Sequence, residues 1–227
     1  MKIKGFTISE VLIAIVVIGI IAAITVPVLW VYKEQAERAG KVKKTYATIS
    51  GALTLVKAQG GDYVFDVTGD EDLEMLKTWF NTYMKPFIAT TKICYNEKGC
   101  WNEGNTKSLN GTTARFNQTG KGLGTNIITA VLTDGTFICV DGHRGYNLRD
   151  YFGVNITNDY GIAVTYDING SREPNTIGKD IFVTVFTENG IVPAYKNKTK
   201  AEVDKDCSKT GTGYSCILKY LKQENSR

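Results

Sequence analysis

Histidine is almost missing from this chain: His143 is the only one among 227 residues. A single imidazole argues against a multi-histidine metal centre, and no CxxC pair offers zinc its other common cradle. His143 stands alone in DGHRGYN and reads as a loop residue rather than a general base. Surplus charge is scarce too. The 27 Lys and Arg against 23 Asp and Glu leave +4, and Lys2 and Lys4 supply two of those charges. The remainder is too mildly basic for a nucleic-acid binder. The glycine-rich TGKGLGTN lacks the strand–loop–helix setting of a phosphate cradle, so its Lys121 is read as part of a flexible loop. There is no internal repeat, and low complexity is confined to Gly/Asn/Thr-rich loops between Asn102 and Asn126. These absences leave no credible active site, and the chain is read as a non-enzyme.

What is present begins at the first residue: MKIKGFTISEVLIAIVVIGIIAAITVPVLW. From Val11 to Leu29 there is no charge. A membrane-spanning helix needs about 20 apolar residues, whereas a secretory signal has an apolar core of only about 7–15. Ala22-Ala23 imitates a signal cleavage site, but the apolar run continues past it, so the segment is expected to be retained. Glu10 sits at the mouth of the run. A carboxylate at mid-bilayer costs roughly 2.5 kcal/mol or more, so its presence there demands a reason.

The stretch KGFTISEVLIAIVVIGIIAAITVP resembles the type IV pilin and type II secretion pseudopilin superfamily. That family has a short basic leader ending in Gly, then Phe, an acid four residues later, and an apolar helix. The resemblance implies that Gly5 ends the leader and that Phe6 becomes the first mature residue, cut and N-methylated by prepilin peptidase. It places Glu10 on the family's acid position and Pro27 on the proline that bends the N-terminal helix. Cleavage would create an α-amino group on Phe6 that is largely protonated near neutral pH. Buried among packed helices, that cation would pair with Glu10 of a neighbouring subunit and so select one axial register. The implied setting is the inner membrane, with one span and the C-terminal domain outside. The implied partners are further copies of the chain, the peptidase, and an inner-membrane assembly platform with its ATPase. A tip-located minor pilin that binds a surface, DNA or a secreted substrate is a second reading. A signal-anchored periplasmic enzyme or binding protein is a third.

The rest of the chain reads as follows. Val42, Tyr46, Ile49, Leu53 and Val56 recur at helical spacing, so the helix is expected to continue amphipathically over 31–60 and stop at Gly60-Gly61. A further helix is expected from about Asp70 to Lys85, ended by Pro86, with acids at its start. Its Trp79, Phe80 and Tyr83, with Phe87 beyond, are read as core. NIITAVLTDGTFICVDG reads as a hairpin turning at Asp134-Gly135, GIAVTYDING as a strand, and KDIFVTVFTENGIVPAY as a strand pair around Asn189-Gly190. The expectation is an α+β, pilin-like fold: a long N-terminal helix, transmembrane in its first half, packed on an antiparallel sheet with one extra helix. The divisions are a leader at 1–5, a membrane or filament-core helix at 6–30, its amphipathic continuation at 31–60 and a globular domain at 61–227.

Cys94 and Cys100 bracket YNEKG, and Cys207 and Cys216 bracket SKTGTGYS. Both spacings suit small loop-closing disulfides, which fits an extracytoplasmic body and would contribute about 2–3 kcal/mol each. Cys139, in TFICV, is read as a buried free thiol. The stretch DINGSREPNTIGKD gathers oxygen-bearing side chains: Asp167, Asn169, Ser171, Asn175 and Asp180. It reads first as a hairpin loop shaped by Asn, Gly and Pro. It reads second as a calcium site built on Asp167, Asn169 and Asp180, since calcium takes six to eight oxygens.

Overall fold

The computed structural model describes residues 5, 7–59, 72–102, 106–114 and 126–221. The chain divides into two compact units, Met1–Gly40 and Lys41–Arg227. Helix α1, Ile8–Ala58, is continuous across that division. Its first part follows from composition alone, because the unbroken apolar residues lack any strong breaker except Pro27. Proline has no N–H, so the Ala23 carbonyl loses the donor that a helix would normally bring it. From Lys41 onward the helix becomes one-sided: Val42, Thr45, Ile49, Ala52, Leu53 and Val56 are buried. Thr45 and Ala52 join the expected stripe, and Tyr46 lies half-buried beside it. Gly60-Gly61, the expected stop, lies outside the described residues.

Helix α2 is Leu73–Tyr83. Asp72 is its N-cap and accepts a hydrogen bond from the Met75 amide at 3.0 Å, the short-side-chain cap that polar N-terminal residues provide. Asp70 lies outside the described residues, so the described helix begins at Leu73 and ends one residue before Met84. Lys85–Phe87, with Pro86 inside it, then forms a separate 3-10 turn. Trp79 and Phe80 are buried, while Tyr83 and Phe87 pack at the edge of the same core.

Six strands follow in one antiparallel meander: β1 Thr90–Tyr95, β2 Ile128–Leu132, β3 Phe137–Arg144, β4 Tyr160–Asp167, β5 Ile181–Thr187 and β6 Gly190–Pro193. They are ordered along the sheet as in the sequence. The β2–β3 turn forms at Asp134-Gly135, where Gly135 adopts φ of 82° and Asp134 accepts the Thr136 amide. The β5–β6 connection is Glu188-Asn189, and Gly190 opens β6 at φ of 121°.

The sequence reading placed the sheet against one long helix. The structure covers both faces. One face, including Ile138, Val140, Val164, Tyr166, Phe182 and Phe186, meets α1 and α2. The other, including Cys139, Ala163, Val183 and Val185, packs with helix α3, Gly145–Phe152, through Leu148 and Phe152. Strands buried on both faces lose the polar half of the alternation, and β4 and β5 show this as nearly unbroken apolar runs.

The expectation of one extra helix is therefore corrected. Besides α2 and α3, the described residues include α4, Lys200–Asp206, and α5, Ile217–Leu221. α3 closes on Gly153 at φ of 64°, a left-handed C-cap. α4 opens on a capping box in which Thr199 and Glu202 exchange hydrogen bonds. α3 and α4 are short, and each is held by a cap and two buried side chains rather than by a long periodic stripe. His143 is also corrected: it lies on β3, not in a loop, with Nε2 3.2 Å from Asp141 Oδ2 and its ring edge-on to Phe152.

Candidate functional site

Two places concentrate chemistry, one in each unit. In the N-terminal unit, Gly5 is exposed and Phe6 lies outside the described residues. Glu10 does something the sequence reading missed. The Thr7 amide and the Thr7 hydroxyl both donate to Glu10 Oε2 at 2.8 Å, and the Glu10 amide lies 3.4 Å from Thr7 Oγ1. Thr7-Ile8-Ser9-Glu10 is thus a capping box that starts α1. The signal was legible in the pattern T-x-x-E directly before an apolar run. Both bonds that reach the Glu10 carboxylate use Oε2; among the described residues no hydrogen bond reaches Oε1. Beyond Glu10, large apolar side chains from Val11 to Tyr32 are exposed on every side of the helix. The helix is long and apolar enough to cross a membrane. Pro27 sits inside it, as expected.

In the globular unit, the loop between β4 and β5 draws Asp167, Asn169 and Asp180 together. Asp167 Oδ1 accepts the amides of Asn169 at 3.0 Å and Gly170 at 3.1 Å. Asp180 accepts the Thr176 amide at 2.6 Å, the Asn175 amide at 2.8 Å and Asn169 Nδ2 at 3.1 Å. Asp167 is fully buried and Asp180 is 3% exposed. Burial, with the like charge of Asp180 beside it, pushes the Asp167 carboxyl up to about 8. Burial raises Asp180 as well. Asp167 Oδ2 and Asn169 Oδ1 are buried without a hydrogen-bond partner. Buried oxygens rarely remain unpaired, because desolvation costs about 1–3 kcal/mol per group.

Two of the expected oxygen donors are not brought in. Ser171 is exposed, and Asn175 Oδ1 is occupied by Asn102 Nδ2 at 2.7 Å. Among the described residues no three His, Cys, Asp or Glu side chains gather as a metal site. Asp167 and Asp180 lie close enough to repel, and Asn169 approaches Asp180 through its amide nitrogen; carboxylate and amide oxygens are hard donors of the kind calcium takes rather than zinc.

Disulfides join Cys94 to Cys100 and Cys207 to Cys216, and Cys139 is a buried free thiol. Just before the second bracket, Asp206 is buried and organises the loop. Its carboxylate accepts from the amides of Thr212, Gly213 and Ser215 and from the hydroxyls of Thr212 and Ser215. Burial alone would raise its pKa, but these bonds and the charge of Lys198 outweigh it and bring the carboxyl down to about 2.

The family model for the prokaryotic N-terminal methylation motif matches residues 1–26. The chain is also similar to type II secretion system core protein G of Klebsiella pneumoniae. The two are 37% identical over 60 residues, which is 26% of this chain and 42% of the relative. The chain thus spans less than half the length of that curated relative. No solved structure matches. The pilin and pseudopilin resemblance read from KGFTISEVLIAIVVIGIIAAITVP therefore stands on independent findings.

Proposed function

We propose that this chain is a prepilin-like structural subunit that waits in the inner membrane and is then assembled into a type II secretion pseudopilus or a type IV pilus. The observation that carries this reading is the N-terminal segment: the methylation motif on a helix whose large apolar residues from Val11 to Tyr32 are exposed among the described residues. Prepilin peptidase cuts after Gly5 and methylates the new Phe6 amine. An assembly platform and its ATPase then lift the subunit out of the bilayer. Burial of Val11–Leu29 against neighbouring copies replaces lipid contact, so extraction need not cost the full transfer energy of the span.

Within one chain Glu10 caps its own helix through Oε2, and Oε1 is the oxygen proposed to take the Phe6 amine of the adjacent copy. The same carboxylate then serves two tasks, helix start and axial register. Mass spectrometry of the membrane-extracted protein tests the proposal: the expected N-terminus is N-methyl-phenylalanine at Phe6. An intact leader sinks it. In the Glu10→Val variant, cleavage continues while assembly fails or methylation is lost; normal filaments from that variant remove the pairing role.

The globular unit is proposed to hold one calcium ion with Asp167, Asp180 and the Asn169 side-chain oxygen. The ion supplies positive charge to two acids that burial otherwise forces toward neutrality, and it engages oxygens that lack donors. The expected outcome is a higher melting temperature in calcium that EDTA reverses. An unchanged melting temperature refutes the site.

A further inference from the structure

Helix α1 changes character sharply at Trp30. From Val11 to Leu29 it carries no charge. Lys33, Glu34, Glu37 and Arg38 then follow, with Lys33 Nζ 3.7 Å from Glu37 and Arg38 donating to Glu34 at 2.8 Å. Such i,i+4 ion pairs belong on a helix surface in water. Between the two zones stand Trp30 and Tyr32, 67% and 68% exposed. Among the described residues nothing accepts from the Trp30 indole N–H or the Tyr32 hydroxyl. Lys33 Nζ lies 5.8 Å from the Trp30 ring centroid, a cation over an aromatic face.

The placement of the two rings bears on what covers them. Residues two apart on a helix do not share a face. A protein partner docking along one stripe would take one ring and leave the other. A layer that surrounds the helix takes both. The bilayer interface is such a layer, apolar on one side and wet on the other, and amphipathic rings favour it. Lys33 can reach the headgroups with its ammonium while its stem stays against Trp30. The distance to the other end of the apolar run agrees. Glu10 to Trp30 spans about 30 Å at 1.5 Å per residue, the thickness of a typical hydrocarbon core. With Trp30 at the outer interface, Glu10 reaches the inner one, and its carboxylate escapes the mid-bilayer cost.

We propose that Trp30, Tyr32 and Lys33 form a girdle that binds the outer lipid headgroup layer and so sets how deep α1 sits, holding Glu10 at the opposite surface. The proposal rests on the membrane residence argued above and adds the seat to it. The three are positioning residues: they act on Glu10 through the length of the helix, not by contact. Their role is greatest after the leader is cut, because cleavage at Gly5 removes Lys2 and Lys4, the basic residues at the inner end.

The test uses the full chain with Lys2→Ser and Lys4→Ser as the parent, so that those lysines cannot hold the depth. It is reconstituted from detergent into phosphatidylcholine–phosphatidylglycerol vesicles. Trp79 and Trp101 are buried in the globular unit, so bromine carried on the lipid reaches Trp30, and Trp30→Phe gives the background. Bromine at the headgroup end of the acyl chains should quench Trp30 at least about twofold more than bromine at the chain ends. Depth at the far end is read from a polarity-sensitive dye on Ser9→Cys; Cys139 is buried and stays unlabelled. In Trp30→Ser/Tyr32→Ser the access of aqueous iodide to that dye should change by about twofold or more, and Trp30→Tyr should keep the parent value. The denaturation midpoint of the globular unit should be unchanged in both variants. Stronger quenching from the chain ends, or none from either lipid, in protein that floats with the vesicles overturns the girdle and spares the membrane reading. Unchanged iodide access in the double variant does the same. Protein that does not float with the vesicles overturns both.

Discussion

Helix α1 places the same residue types in two opposite settings. Near its start Ile13, Ile18 and Ile24 are each about two-thirds exposed, at 65%, 65% and 66%; further on Val42, Ile49 and Val56 are at 0%, 1% and 4%. Backbone geometry is shared, so the difference lies in what surrounds each part. The first part is apolar round its whole circumference and suits a surrounding that is apolar on every side, as lipid or packed copies would be. The second carries a stripe and is completed by the sheet of its own chain. A long helix of this kind is two building blocks written in one secondary structure.

The largest effect should come from moving one substitution between the two parts. Ile49→Asp buries an unpaired charge and should abolish folding of the globular unit, a loss above about 4 kcal/mol by denaturant titration. Ile18→Asp should leave that denaturation midpoint within about 0.5 kcal/mol yet release the protein from the membrane fraction. Equal effects on folding would break the comparison. Next comes Phe80→Ala, which opens a cavity where α2 meets the sheet face shared with α1 and should cost about 3–5 kcal/mol.

Asp206 gives a smaller and pH-dependent effect. Its folded pKa, about 2, lies below its unfolded value, so the carboxylate stabilises the fold above the unfolded pKa. That stability is lost as pH falls through the folded value. The contribution is on the order of 2 kcal/mol. Asp206→Asn should therefore lower the melting temperature at pH 7 and flatten the acid limb of the stability curve; an unchanged limb would remove this role. Smallest is Tyr46→Phe. The Tyr46 hydroxyl donates to the Ile191 carbonyl at 2.9 Å, and losing it should cost about 1 kcal/mol in thermal unfolding.

Much of this was legible in the residues, for identifiable reasons. Long-range order in the first 30 residues depends on composition, which a sequence displays directly. The hairpin turns at Asp134-Gly135 and beside Asn189-Gly190 are local chemistry, and they form where the glycines stand. The loop acids Asp167 and Asp180 do lie together, but Ser171 and Asn175 were not set apart from them, because only tertiary contact shows that Asn102 occupies Asn175. The second sheet face was missed although GIAVTYD and IFVTVF lack polar alternation. That absence signals burial on both sides, and the covering elements are short helices whose periodic signal is too brief to see. Their caps, Gly153 and the Thr199–Glu202 box, were the readable trace. Glu10 was read as a counter-charge alone; its capping partner Thr7 stood three residues away.

The outer strands of the sheet bear on a different risk. The proposed filament subunit must not also polymerise through its sheet. At one border β6 is four residues long, and its Ile191 carbonyl already accepts from Tyr46. At the other, β1 carries an irregular register between Thr90 and Lys92, and the exposed Lys92 donates from Nζ to the Gly99 carbonyl at 3.3 Å. Short length, a kink and a lysine are the features that keep sheet borders from recruiting strangers. The proposed growth through the N-terminal helix is thereby separated from amyloid-like growth through the sheet.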